Sequence, residues 1–558
     1  LHPFKLNIGE GPPPQKSKWG TPPKPRVGID RRGLKQMVYV GQLPTVNHIK
    51  DDYITYGRVT SQYAHHYGAA SSILHELAGD KYYIVQPTKT NIENVIRGWD
   101  EKKPDTYQNF LSWSRATQFL SNKYGFLCRD SVSTTEEVDS YINYNKSPGY
   151  PANLWNIDTK AELVRDKMFL DWQGRFQYSE IPFYIASPKK EYLAWEDIAP
   201  TDMGGREKIR LFTIPPFHLL QQQLRFGKKI STRIKNFKWS AYGFNPYKGG
   251  VDLLANRLLS KPIRFFYDVS GWDKFLPLMK AVYAFLKLNN GYNSFSESLK
   301  KAYDWMETHS VSYFIKMYDG SVYQKKYGNA SGSGTTTRDN ILAHILIVSC
   351  FLMEAFYNKF GCWPTDQFLD EQIVQLFGDD SVCSVDEEFD YVLHPGFLDD
   401  FFSRFGMKLK FLKGGRDFPI EEMQFLGFTF RKIEGKYFPL FDTQRLATTM
   451  IYDGVQPLNR ESFICRAFML YFMSFSSDEY DIFKTAYHNL SQWYLTIGNL
   501  TATEEVFAHL GVLSDDEMFA FYQGLESSRL DGVFDTFLPP FMEEEGFKNF
   551  VPYESETN

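Results

Sequence analysis

The chain has 558 residues, 43% hydrophobic and 17% aromatic, which excludes a disordered chain, a coiled rod, a collagen and a small disulfide scaffold and allows several packed layers. Lys and Arg number 62 against 67 Asp and Glu, a formal charge of −5; the sum argues against a histone-like coat on nucleic acid but leaves room for a locally basic channel. The five cysteines form no C-x-x-C pair, which fits neither a disulfide framework nor a zinc ribbon and suits buried thiols in a reducing compartment.

In chain order, residues 1–36 come first, with seven Pro, eight Lys or Arg and two acids. That composition favours extended backbone and buries no core of its own, so it reads as a solvated tail or as an arm laid over a domain or RNA. The chain starts on Leu and shows no charged-then-apolar secretory pattern, so it reads either as processed from a precursor or as trimmed at its start. Ser147-Pro-Gly149-Tyr-Pro151 is a Pro/Gly turn, and Lys189-Lys190-Glu191 and Lys208-Ile-Arg210 read as strand charges. From Leu211 to Val251 stand Arg225, Lys228, Lys229, Arg233, Lys235, Lys238 and Lys248 and no acid, interleaved with Phe226, Phe237, Trp239 and Tyr242. Cations that track a backbone beside aromatics that stack on bases hold single strands without sequence preference, so this run is a candidate template contact.

Further on, Pro262 to Tyr267 is an apolar, aromatic run of the buried-strand kind that delivers Asp268 at its end, with Asp273 close behind. A small-residue loop from Tyr327, holding Ser331, Gly332, Gly334 and Thr336, leads into an apolar helix that carries Asn340 near its start. Its glycines permit close backbone approach, and its hydroxyls and amide can reach one side of a sugar. The apolar stretch that follows, Ile341 to Tyr357, is broken by His344 and Glu354 and falls short of the uncharged span of about 18 residues expected of a membrane crossing. Gln372 to Val385 reads as strand, tight turn and strand, with Gly378-Asp379-Asp380 at the turn. Beyond Gly435 the text becomes helical and aromatic, a separate C-terminal subdomain, and residues 531–558 hold seven acids and one Lys.

Carboxylates gathered on adjacent strand ends repel, and a pair of Mg²⁺ ions is the usual remedy, because hard cations take oxygen ligands and keep waters. Two ions about 4 Å apart activate an attacking hydroxyl and stabilise a leaving pyrophosphate. Either acidic segment alone is more often a turn with solvated acids. The loop between them joins them into one site.

Asp268-x4-Asp273, Ser331-Gly332-x3-Thr336-x3-Asn340 and Gly378-Asp379-Asp380, in that order, resemble motifs A, B and C of viral RNA-dependent RNA polymerases. Flanking segments fit the same family. Ser147, Gly149 and Pro151 resemble motif G at the template entrance, and Lys189, Lys190, Lys208 and Arg210 resemble motif F over the incoming triphosphate. Phe425 to Lys432 resembles the motif E hairpin, and Phe405-Gly-Met-Lys408-Leu-Lys410-Phe-Leu-Lys413 is a poorer motif D, with Lys413 preferred over Lys408 and Lys410 as general acid. Within the family the chain looks most like astrovirus polymerases, with picobirna- or partiti-like enzymes next.

The resemblance implies an α/β (α+β) right hand whose palm is an antiparallel sheet flanked by helices. The boundaries it implies are an N-terminal arm at 1–40, fingers at 41–214, palm at 215–283, a fingers insertion at 284–326, palm again at 327–432 and thumb at 433–558. It implies RNA synthesis from NTPs, with Asp268, Asp379 and Asp380 holding two Mg²⁺, or Mn²⁺ in their place. Lys413 then protonates pyrophosphate, Asp273, Ser331, Gly332, Thr336 and Asn340 sense the ribose, and Lys190, Lys208 and Arg210 hold the triphosphate. Template contacts fall to Ser147, Gly149, Pro151, Arg225, Lys228, Lys229, Arg233 and Lys235. Further partners are a protein primer and other viral replication proteins, in replication complexes of the host cytoplasm. The alternatives are a reverse transcriptase-like polymerase, whose family lacks Asn340 in this setting, and a non-catalytic RNA-binding or structural viral protein.

Overall fold

The computed structural model describes residues 19–20, 22–45, 55–101, 111–189, 191–199, 208–276, 279–454, 457–525, 529–530 and 532–533. Lys190, residues 1–18 of the arm and residues 534–558 of the acidic end lie outside the described residues.

At the centre is a four-stranded antiparallel sheet in the order Ile373–Phe377, Asp380–Val385, Ile263–Ser270 and Lys408–Arg416. Strand Ile263–Ser270 is apolar on both faces because both are covered. Phe265, Tyr267 and Val269 join the core around the long helix Thr336–Phe360, whereas Phe266 joins a second core built largely from the C-terminal helices. Asp268 therefore shares the face of Phe266, at the end of the strand where that covering stops. Helix Thr336–Phe360 is buried on every side from Arg338 to Met353, which explains its almost uniformly apolar text, and it ends on Gly361 in the left-handed conformation. Among the described residues this is the one helix long and apolar enough to cross a membrane, and most of it is buried inside the protein.

A second, five-stranded sheet runs Val38–Gln42, Ser321–Lys325, Tyr313–Lys316, Phe183–Lys189 and Arg210–Ile214. It brings the 313–325 hairpin between the N-terminal strand and the two strands that carry Lys189 and Arg210. From Trp19 onward the arm is packed and not a solvated tail. Trp19 lies against Trp155, Phe169 and Trp172, and the Arg32 guanidinium grips Glu93, with two contacts at 2.9 and 2.6 Å, and Asp319 at 3.2 Å.

Helices Arg460–Met473, Tyr480–Ile497, Ala502–Leu510 and Asp515–Gln523 form the C-terminal body. One expectation changes here. Residues 59–78, expected to fold with 41–214, pack into this body: strand Val59–Thr60 pairs with Tyr452–Asp453, and helix Ala70–Ala78 buries Ala70, Leu74 and Ala78 in its core. Those three residues stand four apart and make one helical stripe, which must find an apolar partner.

Candidate active site

Three carboxylates meet at one end of the central sheet. Phe377 pairs with Asp380, leaving Gly378 and Asp379 as a two-residue turn, and Gly378 takes φ +62° as a tight hairpin turn of this kind requires. Asp268 lies on the neighbouring strand. The three acids feel one another. Burial, then Asp379 and Asp268, push the Asp380 carboxyl up to about 7, while a Leu426 backbone N–H steadies its anion. Asp379 is also raised, by burial and by Asp268, with the Arg210 and Lys410 charges pulling the other way. Elevated carboxyls on a shared site are the mark of negative charge awaiting a cation. Among the described residues no three acidic, His or Cys side chains close on a common ion.

Beside the acids stands the pair expected to sense the sugar. Asn340 Nδ2 donates to Asp273 Oδ1 at 2.8 Å, and Asn329 Nδ2 donates to Asn340 Oδ1 at 2.9 Å, which fixes the orientation of the amide. Asn329 is itself anchored through its backbone N–H, which donates to the Asp273 carbonyl at 2.8 Å. Gly328 (φ +86°) must be glycine here, because a Cβ would lie 2.8 Å from the Asp273 and Lys274 carbonyl oxygens. Burial and Asp379 push Asp273 up to about 6, with the Asn340 hydrogen bond opposing. The Thr336 hydroxyl donates to the carbonyls of Ala330 at 2.7 Å and Ser333 at 3.0 Å, holding the loop's shape. Ser331 is exposed at the loop's tip. Gly332 passes so close to strand Arg210–Ile214 that a Cβ would overlap the Thr213 carbonyl oxygen. Gln223, buried in helix Phe217–Arg233, accepts from the Gly334 N–H at 3.1 Å and donates to Tyr184 at 2.8 Å and Ser310 at 3.0 Å.

Of the three candidate lysines, Lys410 reaches the acids. The strand pairing is irregular between Leu409 and Phe411, and the residue set in that bulge, Lys410, places Nζ 2.8 Å from Asp268 Oδ2. Lys413 lies opposite Phe266, with its ammonium over the Phe411 ring, so the preference for Lys413 is corrected to Lys410.

Arg210 and Lys189 face each other across a strand pair, both bound to Glu191, at 3.3 and 2.9 Å. The Arg210 charge is felt by both Asp273 and Asp379. Lys208 lies 3.8 Å from Asp197. In the 147–151 turn, Gly149 (φ +81°) donates its N–H to Ser147 Oγ, and a Cβ would press on the Pro215 carbonyl; cis-Pro151 follows, and Lys160 Nζ donates to the Ser147 carbonyl at 2.9 Å.

The basic run is mostly structural. Phe226, Phe237 and Trp239 are core residues, unavailable for stacking on bases. Arg233 donates to the carbonyls of Leu127, Arg129 and Asp130, and Lys229 binds Glu137 at 3.0 Å and the Val132 carbonyl at 3.3 Å. Lys228 and Arg225 lie over the rings of Tyr141 and Phe226. Lys235 sits half-buried in the short turn Ile234–Asn236. The template role expected of Lys229 and Arg233 is therefore withdrawn: their cations hold the 127–137 segment against the helix.

A right-hand nucleic-acid polymerase is the class of protein to which such a sheet, with paired acids at a hairpin turn and a Gly-Ser-Thr loop opening the helix beneath it, belongs. Residues 79–488 match the family of viral RNA-dependent RNA polymerases, and the chain belongs to that family. The chain is 25% identical over 291 residues to the non-structural polyprotein 1AB of Turkey astrovirus 2, covering 48% of this chain and 17% of that protein. With the same-named polyprotein of Ovine astrovirus 1 identity is 23% over 364 residues, covering 60% of this chain and 25% of the relative. With the genome polyprotein of Turnip mosaic virus (strain Quebec) it is 30% over 362 residues, 62% and 11%. The chain thus spans at most about a quarter of these relatives, and the potyvirus kinship stands beside the astrovirus one that the motifs suggested. The family works with divalent metal ions.

Proposed function

We propose that this chain is the RNA-directed RNA polymerase of a virus, part of a longer polyprotein like its relatives, copying genomic RNA from NTPs in the host cytoplasm. The observation that carries the reading is the placement of Asp268, Asp379 and Asp380 at one sheet end beside the Asn340–Asp273 hydrogen bond. The lobes follow: fingers around the five-stranded sheet, palm around the central sheet, and thumb from about residue 433, with residues 59–78 joined to it.

Asp268 and Asp379, helped by Asp380, hold Mg²⁺, which when bound activates the RNA 3′-hydroxyl and carries the triphosphate. Arg210, with Lys189 and Lys208 nearby, neutralises the triphosphate; its fork lets go of Glu191 to take phosphate oxygens. Asp273 and Asn340 accept and donate to the ribose 2′-hydroxyl, so a deoxynucleotide leaves buried polar groups unpaired. Lys410, freed from Asp268, delivers a proton to the leaving pyrophosphate. Positioning and charge neutralisation supply most of the acceleration in phosphoryl transfer.

The test is incorporation of labelled NTPs on a homopolymer template, with and without primer. Asp379→Ala is expected to lower incorporation by at least about a hundredfold, in line with loss of one electrostatic stabiliser, and to leave RNA binding largely intact. Full activity in that variant would sink the reading.

A further inference from the structure

Near the start of the apolar helix Thr336–Phe360 stands a histidine, His344, among its buried residues. His344 is fully buried, and both its nitrogens are engaged: Nδ1 lies 2.9 Å from the Gly378 carbonyl oxygen and Nε2 lies 2.7 Å from the Tyr267 hydroxyl. Its face packs on Trp272, ring centroids 4.3 Å apart. The chemistry of the partners fixes the tautomer. A carbonyl can only accept, so Nδ1 carries the proton; burial keeps the ring neutral, so Nε2 is a lone pair that accepts from the Tyr267 O–H. Tyr267 immediately precedes Asp268, and Gly378 immediately precedes Asp379. The two acids come from segments 111 residues apart in the chain, and in this part of the sheet the pairing between the two strands runs only over Ile263–Phe265 and Cys383–Val385, short of the acids themselves. At the acidic end this imidazole bridges the Tyr267 hydroxyl and the Gly378 carbonyl.

We propose that His344 is a positioning residue that sets the separation of Asp268 and Asp379, and so the metal preference of the site. This deepens the polymerase reading and rests on it. Mg²⁺ demands near-ideal octahedral geometry at about 2.0–2.1 Å and dehydrates reluctantly. Carboxylates loosened by a few tenths of an ångström lose Mg²⁺ before they lose the more tolerant Mn²⁺.

The experiment compares His344→Asn, whose amide places a donor where Nδ1 stood, with His344→Gln, whose amide reaches toward Tyr267 and gives up the turn. Tyr267→Phe serves as a third variant that removes a single hydroxyl and keeps the ring packing. Three quantities are read on each purified full chain: melting temperature in chelator, Mn²⁺ affinity from the free-ion electron paramagnetic resonance signal, and the ratio of Mn²⁺- to Mg²⁺-supported incorporation. Each histidine variant keeps one end of the bridge and severs the other, so His344→Asn, which gives up Tyr267, is expected to raise the ratio about fivefold or more. His344→Gln and Tyr267→Phe are likewise expected to raise it about fivefold or more and to weaken Mn²⁺ binding, with kcat in Mg²⁺ falling more than KM for NTP rises. A simple packing role predicts that Tyr267→Phe, which keeps the ring contacts and cuts the bridge, matches the parent, and a parental ratio and Mn²⁺ affinity in that variant overturn the proposal. Should either histidine variant melt below the assay temperature, Tyr267→Phe decides: an unchanged ratio and Mn²⁺ affinity there overturn it. If the parent chain binds Mn²⁺ yet incorporates no nucleotide, the polymerase reading fails, whereas the positioning role is still decided by the Mn²⁺ titrations.

Discussion

At the residue scale the site is a set of acids held in conflict. Asp380 is pushed up to about 7 and Asp273 to about 6, so the folded, metal-free protein binds protons that the unfolded chain releases near pH 4. A carboxyl raised on folding contributes stability in full below its unfolded value, and that contribution is lost as pH rises through the folded one. In chelator, Asp380→Asn is therefore expected to gain melting temperature on the parent between pH 5 and pH 8, because the amide never takes the charge. A flat difference across that range would remove the repulsion inferred among the three acids. Sugar choice is tested separately. Asn340→Ala leaves Asp273 without its 2.8 Å partner and is expected to narrow the preference for ribo- over deoxynucleotides by about tenfold, the cost of a buried group left unpaired. The placement of the two acid segments and of Asn340 was legible in the sequence because each sits on a local turn or helix start whose pattern is local. Lys410 was not, because a bulge decides which lysine faces Asp268, and a bulge is a property of two paired strands. Asn329 was hidden for the same kind of reason: an amide in a small-residue loop shows its task only when the carbonyl of Asp273 is beside it.

At the element scale, hydrophobic periodicity carries the fold, whereas a run of like charge does not carry its own partners. The buried strand ending on Asp268, the hairpin turn at Gly378 and the helix after Thr335 all follow from local pattern, and each stands where its pattern put it. The acid-free basic run suggested a nucleic-acid track, yet the partners of Arg233 are backbone carbonyls over a hundred residues upstream, which no local pattern can announce. Buried or half-buried carbonyl oxygens need donors, and a guanidinium supplies several from one side chain. Arg233→Ala is accordingly expected to lower stability by about 1–3 kcal/mol while leaving the salt dependence of single-stranded RNA binding as it was. A true phosphate contact would flatten the slope of log K against log salt by about 0.7. Filter binding between 50 and 200 mM salt, beside a denaturant titration, separates the two.

At the scale of the whole molecule, the N-terminal third does not stay on one side. Residues 22–45 lie along the five-stranded sheet, residues 59–78 pack among the C-terminal helices, and the chain then returns to pair Lys189 with Arg210, whose charge reaches Asp273 and Asp379. Further ties close the loop: the Tyr67 hydroxyl donates to the Met450 carbonyl at 2.9 Å, Asn489 Nδ2 donates to the Tyr67 carbonyl at 2.9 Å, and the Tyr192 hydroxyl donates to the Asp453 carbonyl at 2.5 Å. Long-range pairings of this kind cost loop entropy, and sequence composition reports none of it. The consequence for stability is specific. Leu74 is fully buried in the C-terminal core although it lies near the start of the chain. Leu74→Ala leaves a cavity in that core and is expected to destabilise it by about 2–5 kcal/mol. Because the helix Ala70–Ala78 is part of the same packed body, the loss must reach helices Arg460–Met473 and Tyr480–Ile497, hundreds of residues away in the chain. Limited proteolysis read by mass spectrometry is the measurement: new cleavages within 460–497 are expected at temperatures where the parent resists. Cleavage confined to 55–86, with the C-terminal helices as resistant as before, would show that the N-terminal segment merely rests on the body and that the C-terminal helices fold without it.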